Sequence, residues 1–153
     1  MGRVLAVDPG ERRLGLALSD PTGTIALPYE VRTRAGWASD LAYLREIIAR
    51  HDVDTIVVGR PLTMRGTEGA QAREASRFAA RLRAAVSVPV HEVDERFSTA
   101  AADRVLREGG RRPSARRAYR DAVAASLILQ PFLDRRSVTG PLRGSNGGVM
   151  LAP

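Results

Sequence analysis

The sequence predicts an α/β fold: one mixed, five-stranded sheet with helices on both faces. Three observations predict it. The first third of the chain carries three short strand-like runs with no helical pattern between them, which suits an antiparallel meander. Two later apolar runs, at 55–59 and 88–93, each follow a segment with helical periodicity, which suits strands added in parallel to the same sheet. The stretches 3–7 and 55–59 carry apolar runs, Val4 to Val7 and Ile56 to Val58, rather than an alternation, the pattern of strands buried on both faces.

Taken in order, residues 3–7 form a strand that delivers Asp8 to the sheet edge before the breaker pair Pro9-Gly10. A second strand covers 14–18 and ends in Ser19-Asp20-Pro21; the five residues 9–13 are enough for a hairpin loop. After a turn at 20–23, residues 25–31 read as a third strand, and Pro28 confines it to an edge or an irregular pairing. Residues 32–39 read as a loop holding the single Trp37, and 40–50 as a helix with Leu41, Leu44, Ile47 and Ile48 on one face. The strand at 55–59 leads into a loop over 60–69 and then a helix over 70–86, whose stripe is Ala75, Phe78, Ala79, Leu82 and Val86. The last strand, 88–93, ends at Asp94-Glu95-Arg96. Ser98 caps a helix that Gly109-Gly110 stops, and Ser114 caps a final helix over 115–133. These elements make one domain, 1–133. From Asp134 onward Gly, Ser, Asn and Pro prevail, which predicts a flexible tail over 134–153.

Composition narrows the chemistry. The chain of 153 residues is long enough for a single core. It has no Cys and only two His, which excludes disulfides, thiolate sites and a His-based zinc site. A metal here must be held by oxygen, which favours Mg²⁺ or Mn²⁺. No apolar run reaches the roughly 20 residues of a membrane span, and the expected location is the cytoplasm. The net charge is +7, and all 24 basic residues are Arg. Seven of these Arg fall between Arg104 and Arg120, against the single acid Glu108. Such clustering is the footprint of a polyanion partner.

Three carboxylates are placed for chemistry. Asp8 ends the first strand and Glu95 follows the last, so both stand at the rim where parallel sheets build their sites. Asp94 is an alternative to Glu95 or a partner to it. Asp121 lies inside the final helix, on a stripe with Ala125, Ile128, Leu129 and Phe132. An acid on an apolar stripe needs an arginine, such as Arg117 or Arg120, or a cation. Two divalent ions held by such a set can activate water and stabilise the leaving oxygen of a phosphodiester. The neighbouring Arg111, Arg112, Arg116 and Arg117 would grip the phosphate backbone, with Arg60, Arg65 and Arg96 nearer the acids. Acids and arginines together predict a nuclease.

Five ordered motifs carry a resemblance: Val7-Asp8-Pro9-Gly10; Gly15-Leu16-Ala17 with Ser19-Asp20; Val57-Val58-Gly59-Arg60-Pro61-Leu62; Asp94-Glu95-Arg96-Phe97-Ser98-Thr99; and Asp121-Ala122-Val123-Ala124-Ala125. Over residues 3–133 the chain resembles the YqgF (RuvX) family. The resemblance implies a ribonuclease H-like fold with strand order 3-2-1-4-5. Members are described as Holliday-junction resolvases and as nucleases maturing the 5′ end of pre-16S rRNA. Carried over by motif, Asp8, Glu95 and Asp121 match the family's metal-binding acids. Gly59-Arg60 stands where related nucleases place a carboxylate at the fourth strand's end, so either Glu95 reaches back from one strand further, roughly another 4.8 Å, or the site is looser.

Two other functions compete. A non-catalytic nucleic-acid-binding factor in ribosome maturation or transcription would keep the arginines without needing the acids. An ATP-binding protein of the actin and sugar-kinase type also opens on Asp-x-Gly but needs two such domains. A four-way junction takes two cuts, and a homodimer would suit it.

Overall fold

The computed structural model describes residues 2–61, 69–94 and 113–139. Its sheet comprises β1 (Arg3–Pro9), β2 (Arg13–Ser19), β3 (Ala26–Thr33), β4 (Val53–Arg60) and β5 (Val90–Asp94), in the order β3-β2-β1-β4-β5. The first three strands pair antiparallel, and β4 and β5 add in parallel on the far side of β1. This is the expected ribonuclease H-like sheet.

The central strand is apolar from Val4 to Val7 because both of its faces are covered. Leu5 and Val7 face α1 (Trp37–Arg50) and α2 (Ala70–Ala85), where Leu44, Ile47, Phe78 and Leu82 complete one core. Val4 and Ala6 face the other way, onto Ala125, Ile128, Leu129 and Leu133 of α3 (Pro113–Thr139). Each fully buried Val or Leu contributes about 1.5–3 kcal/mol, so both layers hold β1 firmly. Among the described residues, no helix is long and apolar enough to cross a membrane.

β3 takes the edge, as Pro28 requires. Its register with β2 shifts between Leu16 and Ala17, which pair with Glu30 and Pro28 and leave Tyr29 without a partner opposite. An edge with a bulge tolerates a residue that has no N–H to give.

Two helices differ from expectation. α1 starts at Trp37, not at 40. The Trp37 ring packs edge-on against Phe78 at 5.8 Å, and this tertiary contact draws the expected loop into the helix. Asp40, buried in the first turn, accepts the Ala35 N–H at 3.0 Å and pairs with Arg32 at 3.1 Å. A carboxylate there also favours the positive helix end. α3 runs from Pro113 to Thr139, past the expected stop at 133. Leu133 is buried, and Gln130 donates to Asp134 at 3.0 Å and to the Thr24 carbonyl at 2.9 Å, which carries the helix onward. The helix expected from Ser98 to Glu108 and the tail from 140 onward lie outside the described residues.

Ser19 offers one test of the packing. Its hydroxyl is fully buried and accepts the Val4 N–H at 2.9 Å. That N–H falls where the β1–β4 register shifts, between Arg3 and Val4. Ser19→Ala is expected to leave a core N–H without an acceptor, destabilising the protein by about 1–3 kcal/mol. Thermal unfolding should read this as a Tm lower by about 5 °C.

Candidate active site

The two described acids meet. Asp8 sits at the end of β1, and in the antiparallel register its partner on β2 is Gly15. Strand alternation puts Asp8 on the same face as Val4 and Ala6, towards α3. Asp121 comes down to that face because Gly15 has no side chain. A Cβ on Gly15 would stand 2.2 Å from the Asp121 carbonyl oxygen and 2.7 Å from its carbonyl carbon. The helix backbone therefore rests directly on the strand, beside Asp8. Asp8 and Asp121 line one cavity of about 240 Å³, together with Gly10, Glu11, Arg12 and Arg13.

Asp121 does have an arginine partner, and it comes from β2. Arg13 Nε donates to Asp121 Oδ2 at 2.7 Å. Arg13 lies two residues before Gly15 and so shares its face of the sheet. Arg120 is exposed. The side chains of Arg13 and Asp121 are 35% and 26% exposed, so the pair stands at the rim and not in the core. A pair this wet contributes at most about 1 kcal/mol to stability.

The loop carrying Arg13 is held rigidly. Gly10 N–H donates to the Arg13 carbonyl at 2.8 Å, and a Cβ at Gly10 would stand 2.9 Å from that oxygen. Gly10 thus serves the turn itself. Arg34 braces the loop from outside: its N–H donates to the Arg12 carbonyl at 2.9 Å, and its guanidinium to the Gly10 carbonyl at 2.8 Å. Arg34 is in turn 3.7 Å from the buried Asp40.

A second cavity, about 620 Å³, lies beyond this loop and is lined by Asp8, Glu11, Arg34, Pro61, Gln71 and Glu74 among others. A hydrogen bond from Arg77 holds the Glu74 carboxyl below the usual range. The two cavities share Asp8, Gly10 and Glu11.

The remaining predicted residues divide. Glu95, Arg65, Arg96, Arg111 and Arg112 lie outside the described residues. Arg116 and Arg117 lie on the early turns of α3, but their side chains are outside the described set. The Arg60 guanidinium lies 3.8 Å from Glu92. Glu92 in turn accepts from Ser76 of α2 at 2.8 Å, which places Arg60 on the α2 face. Asp94 follows the same alternation as Glu92 and falls on that face too, away from Asp121. Val93 packs on the α3 side. Among the described residues no group of three or more His, Cys, Asp or Glu is arranged to hold a metal. The donor set that is present, Asp8 and Asp121 with Glu11 in the same cavity lining, suits a hard divalent cation. A guanidinium already sits against one of them.

Sequence reasoning missed Arg13 and the role of Gly15. The signal for Gly15 was available: it is the one residue without a side chain on an otherwise apolar strand.

Comparison with known proteins follows the same line. The T. thermophilus RuvC in complex with a Holliday junction substrate superposes with a TM-score of 0.53 at 21% identity, covering 88% of this chain and 96% of that one. The Fowlpox virus resolvase bound to Holliday junction DNA gives 0.54 at 10% identity, covering 87% and 97%. These likenesses support the fold. A protein from Moorella thermoacetica is 44% identical over 138 residues, covering 90% of this chain and 99% of its own. One from Roseiflexus sp. is 44% identical over 133 residues, covering 87% and 94%. Both carry the provisional name pre-16S rRNA nuclease. The family model described as RuvX, Holliday junction resolvase, matches residues 2–135, and the chain belongs to that family.

Proposed function

We propose that the chain is a divalent-metal-dependent nuclease that hydrolyses phosphodiester bonds in nucleic acid. Its proposed substrate is the 5′ end of pre-16S rRNA, with structured or single-stranded DNA and RNA intermediates as further targets. The observation that carries this reading is the meeting of Asp8 and Asp121, from the first strand and the last helix, in one cavity. The names of the relatives support it.

Asp8 and Asp121 would hold the cation, with Glu95 as the third acid. When bound, Mg²⁺ or Mn²⁺ supplies charge to a phosphodiester and lowers the pKa of water. The chain's own part is positioning. β1 fixes Asp8 through pairing on both sides, and α3 carries Asp121 on the Gly15 platform. The arginines of 104–120 would track the phosphate backbone. A substrate of this kind would put the protein's work in the cytoplasm, and a junction substrate would use a homodimer.

Purified protein is to be incubated with labelled precursor rRNA, a four-way junction and single strands, each with Mg²⁺, Mn²⁺ or EDTA. The expected result is cleavage of the precursor that EDTA abolishes. Binding without cleavage under every condition would overturn the reading and leave a non-catalytic nucleic-acid-binding factor.

A further inference from the structure

We propose that Arg13 is a substrate-binding residue of this site, which holds the place of the cation on Asp121 and turns to the phosphate when the cation arrives. The inference rests on the metal-dependent nuclease reading and adds to it a residue and an order of events.

Four observations carry it. Arg13 Nε lies 2.7 Å from Asp121 Oδ2, within the cavity that Asp8 also lines. The oxygen that a cation would need is therefore in use, and cation and guanidinium compete for it. The contact employs one of the five guanidinium donors, so the same group can address a phosphate oxygen. The Arg13 backbone is fixed by the Gly10 N–H, while its side chain is about one-third exposed, so the head can swing without moving the loop. Finally, the arginines are unevenly shared between the two cavities: the smaller one is lined by Arg12 and Arg13, the larger one by Arg34 alone. The scissile phosphate belongs on the Arg13 side.

Competition and recognition have opposite signs, and this makes the role measurable. Removing Arg13 frees Asp121 for metal but takes a cation away from the nucleic acid. By linkage, cation and nucleic acid then help one another in the wild type, because the cation frees Arg13 for the nucleic acid and the nucleic acid, by holding Arg13, frees Asp121 for the cation.

The test uses the full chain with Arg13→Ala and Arg13→Gln, each checked by circular dichroism. Titration calorimetry with Mn²⁺ alone should show binding about 5-fold tighter in both variants. Against a labelled single-stranded RNA in Mn²⁺, KM should rise about 10-fold. Binding of that RNA should lose about one from the slope of log K against log salt. Arg13→Lys should restore the salt slope more fully than KM, since an ammonium keeps the charge but not the fork. Unchanged or weaker Mn²⁺ binding in folded Arg13→Ala and Arg13→Gln would overturn the inference, while a wild type that still cleaves leaves the nuclease reading standing. A wild type that neither binds Mn²⁺ nor cleaves takes both down. An Arg13 that merely braced the loop would lower Tm and weaken metal binding, the opposite sign.

Discussion

Asp8→Asn is expected to leave a folded protein whose cleavage of nucleic acid falls by about 10³-fold, or about 4 kcal/mol of transition-state stabilisation. The substitution keeps the size and shape of the side chain. Asp8 stands half-buried at the strand end, where β1 is already held by the register Leu5↔Leu18, Ala6↔Ala17 and Val7↔Leu16. Nothing in that pairing needs the charge. What the change removes is the strand-end carboxylate that faces Asp121 across the 240 Å³ cavity. Asp121→Asn should produce a comparable loss and should in addition weaken the hold on Arg13. Asp94→Asn is the internal control: it lies on the α2 face, and its effect should stay within a few fold. Initial rates with Mn²⁺, alongside circular dichroism, measure all three. An Asp8→Asn protein that cuts as fast as wild type would remove the metal site from consideration.

The second large effect is structural and reaches the site through the backbone. Gly15→Ala adds a Cβ that would meet the Asp121 carbonyl oxygen at 2.2 Å. No side-chain rotation relieves such a contact, because the obstacle is main chain. Either α3 lifts from the sheet or β2 bends. Overpacking of this kind costs about 1–3 kcal/mol, which lowers Tm by about 5 °C. Function should suffer more than stability. A lift of about 1 Å at Asp121 separates it from Asp8, and misplacement of that size costs about 10²-fold in rate. The expected pattern is a modest fall in Tm with a large fall in kcat. Wild-type activity in a folded Gly15→Ala would show that the close seat of α3 on β2 is unimportant.

Much of the frame was legible in the sequence because it depends on short-range pattern. Apolar runs within 3–7 and 55–59 announced strands covered on both sides, and Pro28 announced an edge. Asp121 was visible as a carboxylate on an apolar stripe. What escaped was tertiary. The partner of Asp121 is Arg13, 108 residues away, and no periodicity links two such positions. The start of α1 depends on a ring contact between Trp37 and Phe78, which local propensity does not contain. The continuation of α3 beyond Leu133 depends on Gln130 reaching back to Thr24, again a long-range tie. Asp94 and Glu95 were indistinguishable as letters, and only the side on which Glu92 meets Ser76 assigns Asp94 its face.

The seat of α3 on Gly15 also has a consequence during synthesis. Asp8 is made well before Asp121, and the two meet only after α3 docks. A nascent chain still emerging from a ribosome carries Asp8 without Asp121, and any chemistry requiring both stays silent. On the nuclease proposed above, translation order would act as a safety catch, keeping an unfinished protein harmless to the RNA that surrounds it.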